Sequence, residues 1–453
     1  MTSSFEHLVK ASRPRTRHAH WSFTEGAEYL LLVNGSRVFS AEAEVLARLE
    51  SAADDAEVER LLCELGVQVP EFIDDKPLVP PPLHALSLAI AQKCNMSCTY
   101  CYASEGSFGG EPKNMPLDIA LQAVETLVGS ASPGARVNIA FLGGEPLVNR
   151  AVLRAATERA VELGEARGVN ATFSITTNGT LLNESDGEFF EKHAFAVTVS
   201  LDGLKDAHDL NRRLKYKGGS FDRIMARVQP LLGMQRRMQV SVRSTVTPGN
   251  LKLREGLDYF LDAGFHSVGF SPVLRSPSGE GEMGRSDLLG LLDAMVDCGE
   301  EFERRCLKGQ RYAFLNMTNA LRELHRGTHR PYPCGAGAGY LGVSATGDLA
   351  ACHRFVGDGE GAMGSLEAGI DEEARTRWLA ERHVDWQTPC SECWARYLCG
   401  GGCHHEVIAR GRVACDYIRG WLHYCLEAYV RLLRARPEWF GAPFVAPHAE
   451  ALE

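Results

Sequence analysis

Between residues 84 and 307, short β-rich apolar runs alternate with longer amphipathic stretches, and no other feature of the chain restricts its fold so strongly. The runs fall at 86–91, 136–142, 171–176, 195–201, 238–246 and 267–273. Six strand-then-helix repeats predict an α/β fold with a parallel sheet, because each helix carries the chain back to start the next strand in the same direction. Such crossovers are right-handed and curl the sheet toward a barrel. Folds of this kind carry their chemistry on the loops that follow the strands.

The first of those loops is the most informative. After the run Leu86 to Ala91 comes Cys94-Asn95-Met96-Ser97-Cys98-Thr99-Tyr100-Cys101, a C-x3-C-x2-C spacing. Three thiolates leave one iron of a [4Fe-4S] cube without a protein ligand, whereas a cluster used only for electron transfer normally has four. The loop therefore points to a substrate or cofactor at the fourth position. After the second run stands Gly143-Gly144-Glu145-Pro146, where two glycines let a ligand approach the backbone. Thr176-Thr177-Asn178-Gly179 follows the third, and Ser200-Leu201-Asp202-Gly203 the fourth, with Arg212 beyond His208-Asp209. Singly these are turn residues. In this order behind the cysteine loop they form a set.

Past the repeats the cysteine density rises. Cys298 and Cys306 lie close to one face of a helical stretch at 285–307 and read as buried thiols. Cys334 is followed by Gly347 and, five residues later, Cys352; then come Cys390, Cys393, Cys399 and Cys403, and finally Cys415 and Cys425. Sequence does not separate a four-sulfur zinc site from a four-sulfur iron site. Zinc on Cys390, Cys393, Cys399 and Cys403 would nevertheless leave four cysteines over. His353, His404 and His405 directly follow Cys352 and Cys403, where an imidazole can bind substrate, move a proton, tune a cluster or simply pack.

Composition narrows the partners. A net charge of -10 argues against a nucleic-acid partner. The polar first twenty residues lack an apolar targeting core, and no run approaches 18 apolar residues, so the expected location is cytoplasmic with no membrane partner. In that reducing compartment, clustered cysteines default to metal or cluster ligation, and eleven of the 14 are clustered. Ahead of the barrel, Asn34-Gly35 between two apolar runs predicts a hairpin, followed by helices at about 41–52 and 55–65. Cys63 is expected there as a core thiol. Lys76 to Leu83, with three consecutive prolines, reads as a stiff linker.

The cysteine loop resembles that of radical S-adenosylmethionine (SAM) enzymes, and the later cysteines resemble the SPASM extension. The resemblance covers 84–430, and six strands rather than eight fit that family's open partial (βα)6 TIM-like barrel. It implies a division into a small peptide-recognition-like domain at 1–75, the linker at 76–83, the barrel at 84–308, a SPASM domain at 309–435 and a tail at 436–453. It also implies SAM and three [4Fe-4S] clusters as cofactors. Cys94, Cys98 and Cys101 would hold the first cluster. Cys334, Cys352 and Cys403 would hold a nearer auxiliary cluster, and Cys390, Cys393, Cys399 and Cys415 a farther one. Cys425 either completes the nearer set or is a packed thiol.

By the same resemblance SAM is bound by Tyr100, Gly143, Gly144, Glu145, Pro146, Thr176, Asn178, Ser200, Asp202 and Arg212. The segments Ala91-Gln-Lys-Cys94, Tyr102 to Gly110, Cys334-Gly-Ala-Gly337 and Cys352-His-Arg-Phe-Val-Gly357 look most like enzymes that install thioether cross-links. These include maturases of quinohemoprotein amine dehydrogenase and relatives acting on cysteine-rich ribosomal peptides. The implied substrate is a ribosomally made peptide or small protein subunit, with a flavodoxin or ferredoxin as reductant. The alternatives are a carbon-carbon cross-linking maturase, an anaerobic sulfatase-maturing enzyme and an electron-transfer iron-sulfur protein. The sulfatase-maturing family typically has an acidic residue where this chain has His353.

Overall fold

The structure, a computed structural model, describes residues 4–67, 79–216 and 218–441. Residues 76–78 of the expected linker and 442–453 of the expected tail therefore lie outside the described residues. The six expected strands form as Ala85–Gln92, Arg136–Gly143, Asn170–Thr177, Ala196–Ser200, Gln239–Val246 and Val268–Pro272. All pair in parallel and in chain order. Their composition sets the two faces. Along the fifth strand Val240, Val242, Ser244 and Val246 are buried, whereas Ser241, Arg243 and Thr245 are not. Asn138, Thr172 and Ser174 hydrogen-bond to one another across neighbouring strands, so part of the sheet carries polar side chains.

The sheet continues past its first strand, which the sequence did not show. Tyr340–Val343 pairs in parallel with Ala85–Gln92, the hairpin strands Asp348–Ala350, Ala362–Ser365 and Gly369–Ile370 follow it, and Lys113–Asn114 pairs antiparallel with the end of Ala85–Gln92, making eleven strands among the described residues. The cysteine-rich region is thus hydrogen-bonded to the barrel. Gly342 makes this possible: a Cβ there would stand 2.7 Å from the carbonyl carbon of Cys352. Removing that Cβ lets the backbone bearing Cys352 pass directly over the strand beside the cysteine loop.

At the N-terminus, Ala19–Ser22, Tyr29–Leu32 and Arg37–Ser40 make an antiparallel sheet, with helices Ala43–Glu50 and Asp55–Glu64 behind it. The hairpin turns where expected, with Gly35 and Ser36 at positive φ. The first strand and a helix at Ser4–Ala11 were not anticipated. Cys63 corrects the sequence reading, because it is exposed. Val58 and Leu62 form the buried i, i+4 stripe of its helix, and Cys63 falls one residue off that stripe.

This unit is joined to the C-terminal helix, Cys415–Ala435, through buried polar contacts. His20 Nε2 lies 3.0 Å from His423 Nδ1, Tyr29 Oη 2.8 Å from the same atom, and Ser22 Oγ donates to Glu427 Oε1 at 2.7 Å. Trp394 stacks on His20 at 3.8 Å and donates to the Ser12 carbonyl, while Arg396 donates to the Arg17 carbonyl. The segment following Cys393 is therefore covered by the N-terminal unit. A chain starting at Pro80 would uncover Trp394, costing about 1.5–3 kcal/mol for that ring alone, and would leave buried His423 and Glu427 only each other and Arg431 as partners. We expect it to melt below the intact protein. An unchanged melting temperature would show that the unit is an independent appendage.

Candidate functional site

The first barrel strand ends at Gln92 and delivers the three-cysteine loop. Met96–Cys98 pairs antiparallel with Arg212–Leu214, placing Arg212 opposite Cys98. The thiols of Cys94, Cys98 and Cys101 lie within electrostatic reach of one another. Burial pushes Cys94 up to about 11 and Cys98 up to about 12. Three soft donors on one tight loop fit an iron-sulfur cluster, which takes its cysteines as thiolates.

A buried triad ties this loop to the barrel. Tyr100 donates to Asp202 Oδ2, and Arg212 Nη1 donates to Tyr100 Oη at 2.7 Å. Asp202 Oδ1 also accepts from the Thr245 backbone at 2.9 Å. Asp202 is fully buried, and burial pushes its carboxyl above the usual range against the pull of Arg212. Its side chain is thus engaged by the protein. Arg212 differs, because its buried Nε has no partner among the described residues and can meet an anionic group of a ligand.

Glu145 is also a brace. It is wholly buried, with Oε1 accepting from Leu147 N and Thr177 Oγ1 and Oε2 from Asn178 N at 2.7 Å. Burial raises its carboxyl, and these three donors oppose the rise. Asn178 in turn donates to Asn95 Oδ1 at 2.9 Å and reaches Cys94 Sγ at 3.7 Å, so it supports the cysteine loop.

The glycine pair has a reason that the sequence reading did not give. A Cβ on Gly143 would stand 2.4 Å from the Ala91 carbonyl, and one on Gly144 2.4 Å from that of Lys93. The glycines first let two stretches of backbone touch behind the cysteine loop. Pro146 opens the short helical turn Pro146–Asn149. Thr176 and Ser200 are half-buried and their hydroxyls have no hydrogen-bond partner among the described residues, which leaves them available to a ligand.

The later cysteines fall into two groups. Cys352 lies within reach of Cys334 and Cys403, while Cys390 does so with Cys393, Cys399 and Cys415. Cys390, Cys393, Cys399, Cys403 and Cys415 border a cavity of about 220 Å³. Five thiols bordering one cavity are a set of soft donors, which iron-sulfur clusters and zinc both take. Cys425 is removed from the candidate ligands. It is 0% exposed, its Sγ is 3.8 Å from Met317 Sδ, and the neighbours that act on it are Glu303 and tyrosines rather than other cysteines.

The three histidines are all buried or nearly so. His404 and His405 pack edge-on against Trp378 and Phe355 and are held down to about 4 by burial. His353 Nδ1 lies 2.9 Å from Tyr340 Oη, which donates to Ser87. Burial and the adjacent Arg354 hold it down to about 3. Sequence reasoning missed its surroundings. Arg354 Nη1 pairs with Glu406 at 2.7 Å, lies 3.9 Å from Cys403 Sγ and stands over the Tyr102 ring. Tyr102 is itself within reach of both Cys101 and Cys352, so it stands between the first cysteine group and the nearer later one. Its place directly after Cys101 was the available signal.

Residues 88–252 match the Radical SAM superfamily, and this part of the chain is a radical SAM domain. Curated relatives show partial likeness. A serine-type anaerobic sulfatase-maturating enzyme of Klebsiella aerogenes is 25% identical over 76% of this chain and 85% of its own length. A cysteine-type anaerobic sulfatase-maturating enzyme of Clostridium novyi is 35% identical over 33% of this chain, which spans 41% of that relative. Among solved structures, anSMEcpe with bound AdoMet and Cp18Cys peptide has a TM-score of 0.63 at 21% identity, covering 78% of this chain and 99% of that one. Streptococcus suis SuiB bound to precursor peptide SuiA has a TM-score of 0.52 at 13% identity, covering 87% and 96%. These two likenesses are of fold. Among the described residues no helix is long and apolar enough to cross a membrane.

The triad makes a specific expectation. Asp202→Ala leaves Arg212 buried without its counter-charge, a loss of about 3–5 kcal/mol, whereas Tyr100→Phe costs about 1–3 kcal/mol. Thermal melts and iron retention after gel filtration should show both. An Asp202→Ala protein of parental stability would contradict the bracing role.

The buried histidines set a pH dependence. His208 and His353 at about 3, and His404, His405 and His423 at about 4, are neutral when folded but gain protons near 6.5 when unfolded. Below pH 6.5 the unfolded chain binds more protons, so stability falls with acidification from about 6.5 toward 4 and is insensitive to these groups above that range. A melting temperature that rose on going from pH 7 to about 5 would overturn this.

Proposed function

We propose that this chain is a radical SAM enzyme that modifies a peptide, and that it forms thioether cross-links using two further [4Fe-4S] clusters. One observation carries the proposal: two separate groups of cysteines lie beyond the three-cysteine loop, with Tyr102 between that loop and the nearer group. The Thr176 and Ser200 hydroxyls, the Gly143–Gly144 backbone and Arg212 Nε would hold SAM. When bound to the first cluster, SAM supplies the deoxyadenosyl radical that removes a substrate hydrogen, and the later clusters supply an electron acceptor.

The chain's own residues fix positions and exclude water. The Asp202–Tyr100–Arg212 triad holds the cysteine loop, Glu145 joins the exits of the second and third strands, and Arg354–Glu406 closes the side next to Cys403. His353 is neutral, with its Nδ1 at Tyr340, so it is not a protonated acid at neutral pH. The sulfatase-maturing reading gains from the curated relatives. It is disfavoured by the imidazole at the position where that family typically carries an acidic residue. A carbon-carbon cross-link is the other product this architecture could yield.

Substrate selection is assigned to the N-terminal unit. Among the described residues Arg37–Ser40 pairs only with Tyr29–Leu32, so its outer edge can accept an added strand from a leader peptide. A flavodoxin or ferredoxin would deliver the electron.

Anaerobic reconstitution is expected to give about twelve irons per chain, and Cys94, Cys98 and Cys101 all changed to Ala should leave about eight with no SAM cleavage. Four irons with zinc in the remainder would overturn the auxiliary clusters. With the peptide encoded beside the gene, mass spectrometry should show a loss of about 2 Da per cross-link and one thiol blocked to alkylation. Equal mass loss with the thiols still alkylatable would favour the carbon-carbon product. Methylating alternate leader amides should weaken leader binding, and unchanged binding would exclude strand addition.

A further inference from the structure

A second cavity, of about 700 Å³, lies at the end of the barrel opposite the cysteine loop. Its floor is His266 and Ser267, which precede the sixth strand, whereas the site loops follow the strands. Helix Leu315–Arg326 forms one wall, and the short turn Pro437–Phe440 forms another. Arg311, Arg322, Arg326 and Arg436 line it, and no Asp or Glu does.

Two of those cations are committed. Arg311 donates to the His266 carbonyl, and Arg436 pairs with Glu438 and donates to the Leu307 carbonyl. The others are not. Arg326 reaches Glu323 only at 3.9 Å, and Arg322 has no ion pair or side-chain hydrogen bond among the described residues. Both are exposed at the mouth of the cleft. An aromatic wall stands beside them. Trp439 meets Phe302 edge-on at 5.7 Å, and Phe440 stacks on His325 at 4.9 Å. Uncompensated positive charge beside an aromatic surface suits a ligand that is acidic and carries a bulky apolar group.

The cleft also adjoins the edge strand assigned to the leader. Arg434 Nη2 donates to Ser40 Oγ at 2.7 Å, and two residues later the same chain reaches Arg436, Trp439 and Phe440 in the cleft wall. On the other side, the helix bearing Arg322 and Arg326 ends at Gly327, where an added Cβ would stand 3.6 Å from the Gly35 carbonyl of the hairpin. The two segments that wall the cleft thus also touch the edge strand and its hairpin.

We propose that this basic cleft binds an acidic segment of the peptide substrate, anchored by one large apolar side chain and continuous with the portion that pairs along Arg37–Ser40. The assignment rests on the peptide-modifying reading. It specifies what that peptide must carry outside the region where chemistry occurs. Carboxylates meet Arg322 and Arg326 at the mouth, and the apolar side chain packs on Trp439 and Phe440. Such contacts raise the association rate and are weakened by salt.

The test uses intact, iron-loaded protein with SAM and a fluorescein-labelled peptide of about ten residues, all glutamate except one central phenylalanine. Fluorescence anisotropy should show binding that weakens as salt rises from about 50 to about 300 mM. A lysine counterpart should not bind. Arg322→Glu combined with Arg326→Glu should weaken binding about tenfold or more, Trp439→Ala should also weaken it, and peptide-independent SAM cleavage should stay at the parental rate. Equal binding of the lysine peptide, or undiminished binding by the double variant, would overturn the proposal. The probe has no cysteine and its readout involves no turnover. Its failure therefore leaves the cross-linking reading standing, and an absent cross-link leaves the cleft assignment standing.

Discussion

Three side chains that never meet in sequence, Tyr100, Asp202 and Arg212, form the buried contact on which the site depends. The cysteine loop is short, polar and pressed against an open barrel, and nothing in its own sequence would hold it still. Asp202 fixes Tyr100 through its hydroxyl, Arg212 fixes the same hydroxyl from the other side, and Thr245 fixes Asp202 from the fifth strand. Because all three are nearly excluded from solvent, removing one leaves another buried and unpaired. The position of three thiols is thereby tied to the geometry of the fourth and fifth strands.

A second constraint works through backbone rather than charge. Glycines 143, 144 and 342 occur where peptide planes pass too closely for any side chain. The first two bring the second strand's exit against the chain leading into the cysteine loop. The third brings the Cys352 segment over the strand beside it. Together they draw the first and the nearer later cysteine group to the two sides of Tyr102, the arrangement an electron path between clusters would need.

The N-terminal unit bears on both ends of the molecule. Its buried contacts with Trp394, Arg396, His423 and Glu427 make it a buttress for the Cys390–Cys415 region. The basic cleft adjoining the unit lies at the end of the barrel opposite the three-cysteine loop. A peptide held there would be gripped by one part of the enzyme and altered in another, so selection and chemistry can be met by different segments of the substrate.

The sequence by itself determined the repeat of six strands and their boundaries, since alternating apolar runs report burial directly, and it determined which thiols belong to the first loop, since those are local. Spacing sets Cys403 beside Cys399, whereas the fold brings it within reach of Cys352. Tertiary structure alone decided the rest, for a consistent reason: each decision turns on atoms far apart in the chain. Cys425 has the spacing of a ligand but faces Met317 in a helix-helix core. Asp202 and Glu145 have the appearance of ligand contacts, yet their carboxylates also accept from Tyr100, Thr245, Thr177 and Asn178, donors that only the fold brings to them. Arg212 retains one free donor because the fold satisfies only part of its guanidinium. Joining the cysteine-rich region to the barrel sheet required Tyr340–Val343 to find Ala85–Gln92 across more than half the chain, and no local pattern of residues encodes that pairing.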